Sequence, residues 1–268
     1  KRANTMVGPN MRGISLTCAI VLAIVLAGCN TTSPMRFPQV RAIPHSQPMD
    51  VHREQPTVAL SKIVANLRRG TAIAHFPAFG SNLGGTLCNH RHLGESRLEW
   101  GSGSRYLGDW NSELGEVFHD VLSSNGANVV GDPKDLFEKE KGGTNAEYLI
   151  GASILDVKGN FCESYHWFHG ISLDEYSGEF YAKIEWTVFS SLAKSEVLKV
   201  QTEGYHLDKK PKRQGIAAVF VEAFAQAAEA FAANDEFRKI VLQGPPERVE
   251  PSETFALLEL NGATPSKL

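Results

Sequence analysis

The sequence predicts an α+β domain, a mixed and mostly antiparallel sheet with two main helices packed on one face. Three observations predict it. Residues 178–190 and 196–206 alternate apolar and polar positions on either side of a short polar connection, the pattern of an antiparallel hairpin. Residues 111–124 and 215–233 carry apolar residues at helical spacing. The element order is strand, helix, strand, strand, long hairpin, helix, which makes a sheet with helices on one side.

Taken in order, residues 58–67 (Val58, Leu60, Ile63, Val64, Leu67) hold a short element whose type the pattern leaves open. Thr71–Phe79 reads as the first strand. Residues 80–108 are rich in Gly and Ser and read as irregular, with a short strand near Leu98–Trp100. In the first helix Leu114, Val117, Phe118, Val121 and Leu122 form one apolar stripe, and Asn125-Gly126 ends it. Ala127–Val130 reads as a short strand closed by Gly131-Asp132-Pro133, and residues 134–146 are polar. Residues 147–161 read as a strong strand. In the hairpin, Phe180, Ala182, Ile184, Trp186 and Val188 share one face, and Glu179, Tyr181, Lys183, Glu185 and Thr187 the other. The second helix buries Ile216, Phe220, Phe224, Ala227 and Phe231, and its alanines let it sit close to a sheet. A short helix restarts at Asn234-Asp235, and Gly244-Pro245-Pro246 stops it. Residues 245–268 read as a tail.

The chain has 268 residues, 42% hydrophobic and 21% charged. That is enough apolar residue for a core, and it excludes a wholly disordered, collagen-like or multi-span membrane chain. Lys+Arg is 27 and Asp+Glu is 30, a net charge of −3, so no nucleic acid is expected as a partner.

The N-terminus reads as an address. Arg12 precedes an apolar run from Ile14 to Gly28. A basic start and a run of this length read as a secretory signal peptide, residues 1–28, shorter than the ~20 residues that span a bilayer. Met6 and Met11 both stand as starts, Met11 giving the cleaner signal. The run ends at Leu26-Ala27-Gly28-Cys29, which resembles the bacterial lipobox. That resemblance implies cleavage before Cys29, with diacylglycerol on its sulfur and an acyl chain on its new amino group. Two or more acyl chains anchor stably. Asn30 follows where an Asp would mark retention at the inner membrane, so the implied location is the periplasmic face of the outer membrane. Cleavage removes Lys1, Arg2 and Arg12 and no acid, which leaves 24 basic against 30 acidic residues, a net charge of −6. Pro34, Pro38, Pro44, Pro48 and Pro56 make residues 29–56 a tether of extended character, with a reach of at most ~90 Å. The periplasmic domain then spans residues 57–244.

Cys18 leaves with the signal and Cys29 carries lipid, so Cys88 and Cys162 remain as an even pair in an oxidising compartment. A Cys88–Cys162 disulfide is predicted, contributing ~3–4 kcal/mol in the chain-entropy model. His90 and His92 follow Cys88, and His166 and His169 follow Cys162. A disulfide draws these four imidazoles near one another, and neutral imidazoles bind zinc or copper. The spacing matches no structural zinc motif, so the expectation is two solvated loops beside a staple, with the four-histidine metal site as the alternative. His75 reads as a core or edge residue. No phosphate-cradling loop, dinucleotide fingerprint or Gly-x-Ser-x-Gly elbow occurs. No enzyme activity and no cofactor are expected. Tyr165-His166-Trp167-Phe168 is a run of aromatics that marks a candidate contact surface. Lys209-Lys210-Pro211-Lys212-Arg213 reads as a solvated loop, and Glu179, Glu185, Asp174 and Glu175 as solubilising charge.

The series Gly178–Phe189, Val197–Gly204, Phe220–Phe231 and Asp235–Val241 resembles a proteobacterial envelope domain. That domain precedes a trypsin-like protease domain in some proteins and stands alone as a lipoprotein in others. More loosely, the series is similar to the curli-secretion and TolB-N-terminal type of α/β domain. The resemblance covers residues 70–242 and rests on apolar and aromatic positions. It implies assembly or partner binding, not catalysis. The sequence departs from the protease-bearing members soon after Gly244, so peptidase activity does not carry over. The expected function is a membrane-anchored periplasmic domain that binds an unidentified envelope protein, in envelope assembly or as a protease accessory. Its contact surface is expected around Tyr165–His169, with the hairpin edge as second choice.

Overall fold

The computed structural model describes residues 35–40, 55–77, 82–83, 86–88, 96–101, 110–131, 146–166, 168–169 and 171–243. The expected signal peptide, Cys29, His90, His92, Trp167 and the C-terminal tail lie outside the described residues. The described elements run β1 (Thr57–Ala65), β2 (Ala72–Phe76), β3 (Asn82–Leu83), β4 (Thr86–Leu87), β5 (Ser96–Glu99), α1 (Trp110–Ser124), β6 (Asn128–Val129), β7 (Tyr148–Tyr165), β8 (Ser172–Ser190), β9 (Ser195–Arg213), α2 (Gly215–Ala232) and α3 (Asp235–Gln243).

This is an α+β fold. Seven strands form one mixed sheet, and β3 and β4 form a separate small pair. The frame is the antiparallel meander β7-β8-β9, whose strands have 18, 19 and 19 residues. The other edge of β7 is shared. Its first half takes β1 in parallel, from Val58 opposite Tyr148 to Ala65 opposite Ile154. Its second half takes β2 in parallel at Gly159 and Asn160. β6 and β5 then extend the sheet beyond β1 and β2. The open element at 58–67 is therefore a strand. Its apolar residues line up with the parallel ladder that a buried β7 offers.

The hairpin and both main helices stand where the periodicity puts them, but the strands run longer. β8 starts at Ser172 and β9 ends at Arg213. The basic run 209–213, expected as a loop, is thus the end of a strand. Among the described residues β9 pairs only with β8, and an edge strand tolerates Lys and Pro because one row of its backbone groups faces away from the ladder. β2 is shorter than expected, at Ala72–Phe76, and His75 on it is buried.

The helices cover one face. On α1, Leu114, Phe118 and Leu122 are fully buried, with Val117 and Val121 packed beside them. The helix closes with a left-handed glycine, Gly126 at φ 88°. Gly126 N–H donates to Ser123 O and Ala127 N–H to Leu122 O, both at 3.0 Å, which satisfies carbonyls the helix end leaves open. α2 is apolar enough by length and composition to cross a membrane; here its apolar side, including Phe220, Phe224 and Phe231, is buried in the core. Trp186 of β8 sits at the centre. Its ring lies 4.9 Å from Phe231, 5.7 Å from Phe224 and 5.8 Å from Phe118, centroid to centroid. α3 closes the end through Phe237, 4.3 Å from Phe231. Asn234 caps it, its Oδ1 accepting from the N–H groups of Glu236 and Phe237 at 3.0 Å each.

A buried polar relay joins strand to strand to helix. The Trp186 indole N–H donates to Thr202 Oγ1 at 2.7 Å, and that hydroxyl donates to Ala227 O at 2.7 Å. Two residues on, a Cβ at Gly204 would collide with the Ala223 carbonyl oxygen of α2, so only glycine lets the helix backbone come this near. Thr202→Val keeps the shape and leaves the indole N–H without its acceptor. A loss of about 1–3 kcal/mol is expected in chemical denaturation. Tyr148 is the opposite case. It is buried, burial and the nearby Glu147 push its phenol up to about 12, and its hydroxyl has no hydrogen-bond partner among the described residues. Tyr148→Phe is expected to leave stability unchanged or raise it by up to about 1 kcal/mol in the same assay.

Candidate functional site

The face of the sheet away from the helices carries the polar residues of the meander. A bulge in β7 between Ile154 and Asp156 sets the alternation. Ile150, Ala152 and Ile154 are buried before it, and Val157 and Phe161 after it. Asp156, Lys158, Asn160 and Cys162 are thereby sent to the outer face. Asp156, Lys158, Asn160 and Cys162 stand opposite Lys183, Tyr181, Glu179 and Ser177 of β8, and Tyr181, Lys183 and Glu185 stand opposite Tyr205, Glu203 and Gln201 of β9.

These groups are paired. Lys158 Nζ lies 2.6 Å from Asp156 Oδ2 and Lys183 Nζ 3.6 Å from Glu203 Oε1. Gln201 donates to Glu185 at 3.0 Å, and Lys199 lies 3.0 Å from the same carboxylate. Both hold the Glu185 carboxyl below its ordinary value, Gln201 first. Glu179, expected only as solubilising charge, organises its surroundings. Its Oε1 accepts from Asn160 Nδ2 at 2.8 Å and its Oε2 from the Tyr205 hydroxyl at 2.6 Å. Burial first, then hydrogen bonds to Glu203 and Glu179, push the Tyr181 and Tyr205 phenols above the ordinary range, so both stay protonated donors.

A segment of the predicted tether lies on this face. Met35–Val40 has no regular secondary structure, and its exposure alternates, with Arg36 and Pro38 out and Met35 and Phe37 half-buried. Asn160, 0% exposed, holds both backbone groups of Met35. Met35 N–H donates to Asn160 Oδ1 at 2.8 Å, and Asn160 Nδ2 donates back to Met35 O at 3.0 Å. The Glu179 carboxylate accepts only, so it fixes which end of the amide faces which way. The Phe37 ring then stacks on Tyr181 at 6.3 Å and 12° and tilts against Tyr205 at 5.9 Å. Sequence reading missed this contact. The only signal for it is a Met and a Phe two residues apart, among prolines.

Cys88 and Cys162 stand at disulfide distance, Cα to Cα 5.1 Å across 74 residues of sequence, with their sulfurs joined. Both are buried. Cys162 is the next outward position after Asn160, so the link sits beside the docked segment on the same face.

The predicted aromatic surface is the tip of the β7–β8 arm. Tyr165 ends β7, and its hydroxyl donates to Glu163 Oε2 at 2.7 Å. The Ser172 hydroxyl donates to the other oxygen of Glu163, and Tyr176 OH approaches it at 3.5 Å. Two hydroxyls thus converge on one carboxylate at the base of the turn, and Tyr176 OH stands between it and Asp174 Oδ1, 3.2 Å away. His166 N–H donates to Ile171 O at 2.8 Å and closes it. His166 and His169 stack at 5.1 Å, and Phe168 lies edge-on to His169 at 5.0 Å. Phe168 is 68% exposed and Ile171 64% exposed, and Leu173 is exposed beside them. The structure therefore brings Tyr165, His166, Phe168 and His169 to one turn. Among the described residues no group of three or more His, Cys, Asp or Glu side chains is placed to hold a metal ion; His90 and His92, the other half of that alternative, lie outside them.

No family model and no curated protein matches the chain. Solved structures that are similar include a protein of the DUF330 family from Xanthomonas campestris, at 12% identity and TM-score 0.37, covering 73% of this chain and 90% of that one. The PelC dodecamer from Paraburkholderia phytofirmans is similar at 10% identity and TM-score 0.30, covering 69% and 93%. A protein provisionally described as a lipoprotein, from Caulobacter crescentus, is similar at 20% identity and TM-score 0.26, covering 51% and 80%. At these scores none of them transfers a role to this chain.

Removing the Glu163 carboxylate takes the acceptor from the Tyr165 and Ser172 hydroxyls, while the Tyr176 hydroxyl keeps Asp174 Oδ1 at 3.2 Å. Glu163→Ala is expected to speed amide exchange across residues 165–172 while the global melting temperature moves little, because the helices pack elsewhere on the sheet.

Proposed function

We propose that this chain is a lipid-anchored protein of the bacterial envelope whose domain binds another envelope component and performs no chemistry of its own. The anchor reading rests on Leu26-Ala27-Gly28-Cys29 at the end of the apolar run. The location that goes with it is the periplasmic face of the outer membrane.

The observation that carries the binding reading is the apolar tip of the β7–β8 arm. Phe168, Ile171 and Leu173 present apolar surface at the end of a strand pair that is otherwise dressed in charge. Apolar side chains gathered at one exposed turn favour a contact surface. Glu163 and the His166–Ile171 bond hold that turn in shape, which lowers the ordering cost on binding. The partner is an envelope protein with an apolar recess, a membrane-bound assembly factor or a protease that this domain accompanies.

Two measurements test the reading together. Cys29→Ser is expected to abolish the lipid mass increment and release the protein from the membrane fraction. A photo-cross-linking residue at position 168 or 171 is expected to give one discrete product in intact cells. The same residue at Leu192, 74% exposed at the opposite end of the meander, is expected to give none. Equal products from both ends would overturn the tip as the contact surface. Stoichiometric metal in protein purified without chelator, lost on His90→Ala/His166→Ala, would overturn the non-catalytic reading in favour of the histidine site.

A further inference from the structure

The outer face of the meander holds a built site for an extended peptide, and the protein's own tether fills it. We propose that this docking sets how far the domain stands from its lipid anchor, and that an extended segment with a suitably placed aromatic residue releases it. The proposal rests on the anchor reading above.

The site has the chemistry of peptide recognition. Asn160 offers one acceptor and one donor to the two backbone groups of a single residue, Met35. A neighbouring β-strand makes the same pairing, so this part of the site reads backbone and ignores side chains. Glu179 holds the Asn160 amide and the Tyr205 hydroxyl in place from behind. Specificity lies two residues on. In an extended chain positions i and i+2 face the same side, so a residue paired at Asn160 delivers the side chain two further along onto Tyr181 and Tyr205. Phe37 fills that place. Pro38 follows and confines Phe37 to extended backbone, so the segment is shaped for the site before it docks.

The consequence is one of length. Cys29 and Met35 are separated by only Asn30–Pro34. With Met35 held on the sheet, the chain between lipid and docked residue spans at most about 20 Å. With it released, the chain runs free from Cys29 to the start of β1, at most about 90 Å. One set of contacts therefore switches the domain between a short leash and a long one. The ligand class that throws the switch is a peptide that offers an extended backbone residue followed two positions later by an aromatic side chain.

The test uses the lipidated protein on a supported phospholipid bilayer. The height of the protein layer is read by neutron reflectometry, and amide exchange at Met35 and Phe37 is followed in parallel. Wild type is expected close to the bilayer with slow exchange at Met35. Phe37→Ala, which removes no core residue, is expected to raise the layer, by at most the roughly 70 Å difference in chain reach, and to speed Met35 exchange at least about tenfold. An excess of the synthetic peptide Pro34–Arg41 is expected to do the same to wild type. Slow Met35 exchange in Phe37→Ala, or rapid exchange in wild type, would overturn the docking site. An unchanged height despite released exchange would overturn its effect on reach. If the wild-type protein fails to associate with the bilayer at all, the anchor reading fails, and the exchange data still decide whether the peptide site exists.

Discussion

The relay from Trp186 through Thr202 to Ala227 is the interaction on which the rest of the arrangement depends. It places a buried indole, a β9 hydroxyl and a helix carbonyl in one line. Such a line forms only if α2 lies almost against the strand backbone, and Gly204 with Ala223 and Ala227 makes that approach possible. Once α2 is seated, Trp186 becomes the floor for Phe118, Phe224 and Phe231. α1 and α3 then have apolar walls to pack on, each buried aromatic contributing roughly 1.5–3 kcal/mol. The helices are drawn to one face because the aromatic and small residues that admit them sit there.

That one-sidedness gives the other face its character. The bulge in β7 after Ile154 re-aims Asp156, Lys158, Asn160 and Cys162 away from the core, where they join carboxylates, lysines and two tyrosines. The phenol rings of Tyr181 and Tyr205 give this otherwise charged face an apolar strip. A narrow extended segment suits it. Asn160 satisfies the backbone of Met35, the tyrosines take the Phe37 ring, and Pro38 removes a backbone donor that would otherwise need a partner. The Cys88–Cys162 link uses the next outward position for a covalent contact of the same kind, chain laid across sheet.

The legible and illegible parts of the sequence divide along physical lines. The hairpin 178–190/196–206 and the helices 111–124 and 215–233 were legible because one face of each is buried over many residues, which writes a period into the sequence. The ends of β8 and β9 were not. Ser172–Asp174 and Lys209–Arg213 are exposed on both faces, so they carry no alternation. The apolar tip was legible as a cluster of aromatic residues around Tyr165–Phe168. The peptide site was not, since Asn160, Glu179, Tyr181 and Tyr205 look like ordinary polar-face residues. Only the third dimension shows that they converge on Met35 and Phe37.

The resolved carboxyl shifts of the described face show groups held in their charged form by their neighbours. A general acid at neutral pH needs a carboxyl whose pKa is raised, by burial or by a like charge. Here the resolved carboxyl shifts run the other way. Hydrogen bonds from Gln201 and Lys199 hold Glu185 low, and Lys212 holds Asp208 low. Glu179 and Glu163 accept bonds from hydroxyls and an amide and thereby orient those neighbours. Carboxylates committed in this way stiffen a surface. At Glu179 the stiffened surface is the sheet face on which Met35 and Phe37 lie, and at Glu163 it is a turn that presents apolar side chains outward. Both are arrangements in which the protein's polar groups are spent on shape.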